Sequence, residues 1–429
     1  HKDLFSLGRV SMSWKNLHTK SKVVDLHNHS VLKKFLFNRD LSGNNTKFLA
    51  KLFKRAFWPF SERSNFPLIK KGEVDVVLST CYIPEIEWID DQPLVKLALR
   101  MSPSTKKRVF DPSYFDATVA MMDCMEKEIL NYQGVEIPNE DNPNLIKLAK
   151  NKNELLDCLA NRNVAMIHSV EGAHSLQGAE CGKRKDESNP DNSIVEAEIL
   201  QNLEYLFDRG VAYLTLAHFY PNKVANPVFP YPTYGISRSN WKHLMAGWDM
   251  NKGLTDIGVK VVKKMFDLGM LVDIAHCTPK ARSEVYEIAG DRKSCLLSSH
   301  TGAFEVNRDP YNLEDWELKW FADHDCVAGV IFMNYWISPI DTELGLKYIE
   351  QTMSHIRDVA GANVIGLGTD FDGFTDPPDE IVDMSQMPRL TRYLSCLMDG
   401  VGSKKYKDEE IQNILGGNAI RLLLEGWKR

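Results

Sequence analysis

Val23-Val24-Asp25-Leu26-His27-Asn28-His29 is the stretch from which the rest of the chain can be read. Its apolar, β-branched start reads as a short buried strand. It ends in two histidines two residues apart. Residues at that spacing on a strand share a face, about 7 Å apart, so His27 and His29 can address one metal ion together. The design then recurs: short apolar runs end at Glu171, His218, His276, His300 and Asp370. A single histidine at a strand end is weak evidence, because most are core or capping residues. An ordered series is strong evidence.

Eight such runs cover 23–29, 74–83, 164–170, 211–217, 271–275, 295–299, 327–334 and 364–369. Stretches with helical spacing separate them, at 113–133, 145–159, 193–208, 254–268 (capped by Gly269), 279–289, 313–321 and 341–360. Two more close the chain, at roughly 386–399 and 407–424, and 47–60 reads as a helix with a basic solvent face. Residues 102–108 read as a polar loop. Strands alternating with helices give a parallel sheet covered by helices, and eight strands close an α/β, (β/α)₈ TIM-like barrel. The active site of such a barrel lies at the C-terminal strand ends, where the candidate ligands fall. The chain reads as one barrel domain over 1–429, with an N-terminal extension at 1–22 and insertions at 178–192 and 219–252. The second insertion is long and aromatic, a candidate lid or homodimer contact.

Composition bounds the function. With 429 residues, 43% hydrophobic and 26% charged, the chain reads as an ordinary soluble globular protein. A net charge of −6 gives no nucleic-acid footprint. No apolar run is long enough to span a membrane. The eight cysteines are scattered without a CxxC pair and read as buried thiols. They favour a reducing compartment, so the expected location is cytoplasmic. The chain starts at His1 rather than Met, so the lack of a leader says little about export.

Strict alternation assigns the faces. Val23, Asp25, His27 and His29 share one; so do Ile167, Ser169 and Glu171; Leu214, Leu216 and His218; Leu296, Ser298 and His300; and Gly366, Gly368 and Asp370. The polar residue is always last, at the barrel mouth. The histidines, with Glu171 able to bridge through its two oxygens, suit two divalent ions, zinc foremost. Such a pair would hold a hydroxide and polarise a carbonyl. His168 has the wrong parity and reads as core. His18, His243, His324 and His355 read as surface, and His174 as a support behind the ligands. Asp273 has the opposite parity to His276 and is expected to face the helix layer. Asp372 reads as a support or loop residue beside Asp370.

Ser169-Val170-Glu171-Gly172-Ala173-His174-Ser175, Tyr213-Leu214-Thr215-Leu216-Ala217-His218, Leu271-Val272-Asp273-Ile274-Ala275-His276, Ser298-Ser299-His300 and Gly368-Thr369-Asp370-Phe371-Asp372-Gly373 resemble the motifs of the membrane (renal) dipeptidase family. This is peptidase family M19 of the amidohydrolase superfamily. Gly253-Leu254-Thr255 and Leu415-Gly416-Gly417-Asn418 extend the resemblance, which is good over roughly 160–424. It implies a binuclear zinc hydrolase cleaving dipeptides through a metal-bridging hydroxide. By the family pattern His27 and residue 29 bind one metal, His276 and His300 the other, and Glu171 bridges them. His218 would stabilise the oxyanion, and Asp370 would move the proton of the bridging water to the leaving amine.

The chain departs from the family at two places. His27-Asn28-His29 stands where the family usually has His-x-Asp, which raises the charge of the site by one. Eleven residues after the sixth-strand histidine the family often carries an Arg that grips the substrate carboxylate; here that place is Tyr311. Arg308 is the nearest replacement and is expected to turn into the mouth, with Tyr311 assisting. The alternative within enzymes is another amidohydrolase, acting on an N-acyl amino acid, a cyclic amide or a lactone. A barrel kept only for binding is a third possibility, which the intact His218 and Asp370 disfavour.

Overall fold

The barrel begins with β1 (Val24–Asn28) pairing in parallel with β2 (Val76–Cys81). The sheet continues through β4 (Val164–Glu171), β5 (Tyr213–Thr215), β6 (Leu271–Asp273), β7 (Leu297–Thr301), β8 (Val327–Ile331) and β9 (Ile365–Gly368). It closes on itself: Asp370 donates its backbone N–H to the His27 carbonyl, and His29 donates to the Phe371 carbonyl, both at 2.9 Å. The structure is a computed structural model that describes residues 14–43, 62–91, 97, 102–133, 145–184, 192–230, 248–292, 294–338 and 345–429. The expected helix at 47–60, His243 and the centre of the 219–252 insertion lie outside the described residues.

The helical coat opens with α1 (Leu32–Phe37), which the sequence reading did not anticipate, and then follows the expected order: α2 (Tyr114–Gln133), α3 (Lys152–Ala160), α4 (Asn192–Asp208), α5 (Asp256–Leu268), α6 (Pro279–Arg292), α7 (Asp315–Asp323), α8 (Leu346–Ala360), α9 (Pro388–Cys396) and α10 (Asn418–Gly426). Local chemistry sets the ends. Thr255 caps α5 by accepting from Gly258 N–H, and Gly269 ends it in the left-handed conformation at φ 80°, returning its N–H to Met265 and Phe266.

Leu26, Val76, Leu78, Ala165, Ile167, Tyr213, Leu271, Leu297 and Val327 fill the barrel interior. The C-terminal helix plugs its lower end with Ala419, Leu422, Leu423 and the fully buried Trp427. Gly416 is needed just before that helix, because a Cβ there would lie 2.3 Å from the Lys22 carbonyl at the entry to β1. Among the described residues, no helix is long and apolar enough to cross a membrane.

Some local expectations need correction. Residues 145–159 are not one helix: Ile146–Leu148 form β3 on the edge of β4, and Asn151 then caps α3 by accepting from Glu154 N–H. β5 reaches β4 only at Val170 and Glu171, which leaves that edge open for β3. The supposed loop at 102–108 is helical, a turn at Pro103–Thr105 running into a wider turn at Lys106–Phe110. His18 is buried rather than on the surface, bonded to Thr391 Oγ1 at 2.7 Å and to the Gly72 carbonyl at 3.1 Å. Neither is the described start of the 219–252 insertion a free flap. Val228 N–H bonds the His276 carbonyl, and Thr278 N–H bonds that of Asn226.

Candidate active site

Alternation does not bring most of the site residues to the mouth. Val24 and Leu26 point into the barrel and Val23 points out, so a regular strand would send His27 outward. A register shift between Asp25 and Asn28 turns His27 and His29 inward instead. β7 repeats the device. Leu297 is inside, Leu296 outside, and a shift between Ser298 and Thr301 brings in His300. Space for that irregularity comes from glycines. A Cβ on Gly329 or Gly368 would lie 2.1 Å or 1.9 Å from the Ser299 carbonyl.

Leu214 and Leu216 pack outward, so His218 reaches the mouth through the loop after β5. His276 and Asp370 stand in left-handed conformations at φ 63° and 54°, followed by Asp372 and Phe374 at 66° and 62°. Each costs on the order of 1–3 kcal/mol and persists because the surrounding structure holds it. Only β4 and β9 place their residues as alternation predicts. Asp273 is a correction: it faces the interior, where its Oδ2 accepts from Thr215 Oγ1 and Ser299 Oγ, both at 2.6 Å.

The result is a buried cluster centred on Glu171. Its Oε1 lies 3.4 Å from His27 Nε2, 3.2 Å from His276 Nε2 and 3.4 Å from His300 Nε2. Its Oε2 lies 3.2 Å from His29 Nε2 and 3.6 Å from His218 Nε2. Asp370 Oδ1 completes the ring, 3.3 Å from His29 Nε2 and 3.9 Å from His27 Nε2.

These residues fit divalent ions. His27 and His29 bring their Nε2 atoms to 3.1 Å, and His276 and His300 bring theirs to 2.9 Å. Two nitrogens on one tetrahedral zinc, each about 2.0–2.1 Å from it, sit about 3.3 Å apart. Glu171 Oε1 is buried with no hydrogen-bond donor among the described residues. The supports behind the rings set their tautomers. Tyr213 donates its hydroxyl to the Leu26 carbonyl, so at 2.8 Å from His27 it can only accept the Nδ1 proton. Ser299 donates to Asp273, so it accepts from His300 Nδ1 at 2.8 Å. Both rings are left with bare Nε2 lone pairs facing the cluster, as metal ligands require.

The electrostatics agree. Burial works against protonating His29, yet the Asp370 and Glu171 carboxylates outweigh it and push the imidazole up to about 10. Burial would likewise raise Glu171, but the facing His218 opposes this, and the carboxyl is held well below the usual carboxylate range. Burial and the neighbouring His27 hold His300 well below its ordinary value. Positive charge is thus strongly favoured between His29, Glu171 and Asp370.

Other sequence assignments fare variously. Arg308 does not turn into the mouth: its side chain is 74% exposed and pairs with Glu305 at 2.9 Å. Tyr311 is buried, stacks on Trp336 and donates its hydroxyl to the His300 carbonyl at 2.7 Å. It would have to give up that bond to donate to a substrate carboxylate. Asn28 turns away from the cluster and donates to Asp25. His168 is buried and bonded to Glu126, as its parity suggested, and His174 sits behind the cluster on the Ile83 carbonyl. Asp372 is a buried anchor that accepts from Lys33, Ser64 and the Arg63 backbone. Sequence reasoning missed Tyr213, Ser299 and Glu85. The Glu85 carboxylate lies 3.0 Å from His218 Nδ1. The first two sat inside apolar runs and looked like core.

Comparison with known proteins matches this architecture. The profile of the membrane dipeptidase family, peptidase family M19, covers residues 192–426. An uncharacterized dipeptidase of Schizosaccharomyces pombe is 30% identical over 227 residues, 53% of this chain and 48% of that protein. A Klebsiella pneumoniae protein encoded in the pqqA 5′ region is 29% identical over 184 residues, 42% of this chain and 64% of its own length. The chain therefore matches only about half to two thirds of these relatives.

Two solved structures share the fold. A metallopeptidase from Rhodobacter sphaeroides, liganded with a phosphinate mimic of the dipeptide L-Ala-D-Ala, superposes with a TM-score of 0.66 at 17% identity, over 95% of this chain and 99% of that one. The probable dipeptidase PvdM from Pseudomonas aeruginosa gives 0.67 at 15% identity, over 98% of both chains. The matched profile covers more than half of the sequence, and the chain belongs to the membrane dipeptidase family, peptidase family M19.

Proposed function

We propose that this protein hydrolyses the amide bond of a dipeptide using two divalent metal ions, zinc foremost. His27 and His29 would hold one ion and His276 and His300 the other, with Glu171 between them. The observation that carries this reading is the convergence of five imidazoles and two carboxylates at the strand exits. When bound, the ions supply Lewis-acid polarisation of the scissile carbonyl and acidify a water. Asp370, 8% exposed at the mouth, would hold on Oδ1 a proton taken from the attacking water and return it to the leaving amine. His218 presents Nε2 to the carbonyl oxygen as negative charge develops there. The buried walls around both groups exclude bulk water and strengthen these interactions.

Elemental analysis of zinc-reconstituted protein, paired with a panel of dipeptides, tests this reading. Two ions per chain and hydrolysis of at least one dipeptide are expected. Asp370→Asn should keep its metals and lose turnover. A metal-free protein after reconstitution would overturn the assignment. The outward Arg308 favours a second reading, in which the substrate lacks a free carboxylate to grip. A cyclic amide or lactone cleaved faster than any dipeptide would select it.

A further inference from the structure

Glu85 follows β2 at the mouth, in Tyr82-Ile83-Pro84-Glu85. It is 3% exposed, and both its oxygens are engaged. Oε1 accepts from His218 Nδ1 and from the backbone N–H of Phe219, both at 3.0 Å. Oε2 accepts the Tyr82 hydroxyl proton at 2.6 Å. The same two neighbours enclose the His218 ring: Phe219 stacks on it at 3.9 Å, and Tyr82 leans on it at 4.2 Å. His218 Nε2 then points at the cluster, 3.6 Å from Glu171 Oε2. Both oxygens of Glu85 are thus committed to protein donors. Its work is done through His218.

We propose that Glu85 is a positioning residue that fixes the His218 ring and its Nδ1–H, so that Nε2 alone addresses the substrate carbonyl. This deepens the proposed function and rests on the role given there to His218. A carboxylate on one nitrogen of an imidazole fixes both ring orientation and proton location, and it stabilises the ring whenever the other nitrogen also carries a proton. The phenol of Tyr82 and the N–H of Phe219 in turn fix the carboxylate. The arrangement links the exits of β2 and β5, which are not neighbours in the sheet.

Zinc-reconstituted holoenzyme tests this with Glu85→Gln, His218→Ala and the double variant. Gln keeps the shape but removes the charge, so it holds Nδ1–H more weakly and no longer stabilises the ring when Nε2 also carries a proton. On the dipeptide hydrolysed fastest in the panel, Glu85→Gln should lower kcat about tenfold or more and shift KM little, with metal content unchanged. In the His218→Ala background the same change should add nothing. The result that overturns the inference is a Glu85→Gln loss that is equally large without His218, or no loss of kcat at all while His218→Ala is impaired. A full-rate His218→Ala enzyme would instead overturn the role given to His218. Proton NMR of the zinc protein needs no turnover. A downfield Nδ1–H resonance that His218→Ala abolishes should move upfield in Glu85→Gln, and an unmoved resonance refutes the contact.

Discussion

Ser299→Ala removes one hydroxyl that serves three partners. Its oxygen lies 2.8 Å from His300 Nδ1 and 3.2 Å from His27 Nδ1, and its proton goes to Asp273. His27 retains Tyr213 as an acceptor, whereas His300 loses the acceptor that fixes its tautomer. The His276–His300 side should therefore weaken more than the His27–His29 side. Removing a support of this kind costs about 10–100-fold in metal affinity, or about 1.4–2.7 kcal/mol. Competition with a zinc chelator, read by elemental analysis, should show one ion lost well before the other. Ser298→Ala is the control, because the buried Ser298 hydroxyl has no partner among the described residues. It should leave both affinities unchanged. If Ser299→Ala held both ions as tightly as the parent, the tautomer argument would be wrong.

Arg308→Ala should change neither stability nor dipeptide KM, since an exposed pair with Glu305 contributes at most about 1 kcal/mol; a large KM rise would restore Arg308 as the carboxylate grip. Arg282→Met should cost about 3–5 kcal/mol in chemical denaturation, because it strands the buried Glu317 that Arg282 binds at 2.7 and 2.9 Å. Changing both residues to apolar ones should cost much less. Burial pushes Asp309 up to about 6, against the hydrogen bond from Tyr311 N–H. A raised carboxyl contributes stability at low pH and loses it as pH rises through the folded value. Asp309→Asn should therefore gain on the parent between about pH 4 and pH 7, by on the order of 2 kcal/mol, as denaturation midpoints across that range would show.

The barrel was legible because its strands are buried on both faces and read as continuous apolar runs between amphipathic stretches. The histidines and carboxylates that converge at the mouth were legible by residue type and by place at the run ends. How they reach the mouth was not. Alternation would turn His27, His218 and His300 away, and the register shifts and left-handed residues that reverse this leave no mark in residue spacing. The glycines opposite Ser299 are their only trace, and Gly329 reads in sequence as one more small residue in an apolar run. Arg308 was misplaced because the direction of a side chain in a loop depends on the whole loop. Glu85 was passed over because one of two alternating glutamates in Ile83-Pro84-Glu85-Ile86-Glu87 looks like surface. Only tertiary packing buries it.

The two strand exits that carry V-D-L-H (24–27) and V-D-I-A-H (272–276) share one device. Asp25 Oδ1 accepts from the N–H of His27 and of Thr369, and its Oδ2 accepts the Thr369 hydroxyl. Asp273 Oδ1 accepts from the N–H of Ala275 and of Ser299, and its Oδ2 accepts the Ser299 hydroxyl. Each carboxylate thus pairs an N–H two residues onward with the N–H and hydroxyl of a residue on the neighbouring strand. Thr369 is followed by Asp370, and Ser299 by His300, so each aspartate grips the chain immediately before a site residue. The cost is visible: burial raises both carboxyls, that of Asp25 to about 6 despite its donors. An apolar residue at either position would avoid that cost, but it would leave buried N–H groups without acceptors where two strands leave the regular ladder. The aspartates are therefore the counterpart of the irregular strand exits. The ladder must break for the histidines to turn inward, and these carboxylates take up the hydrogen bonds that the break releases.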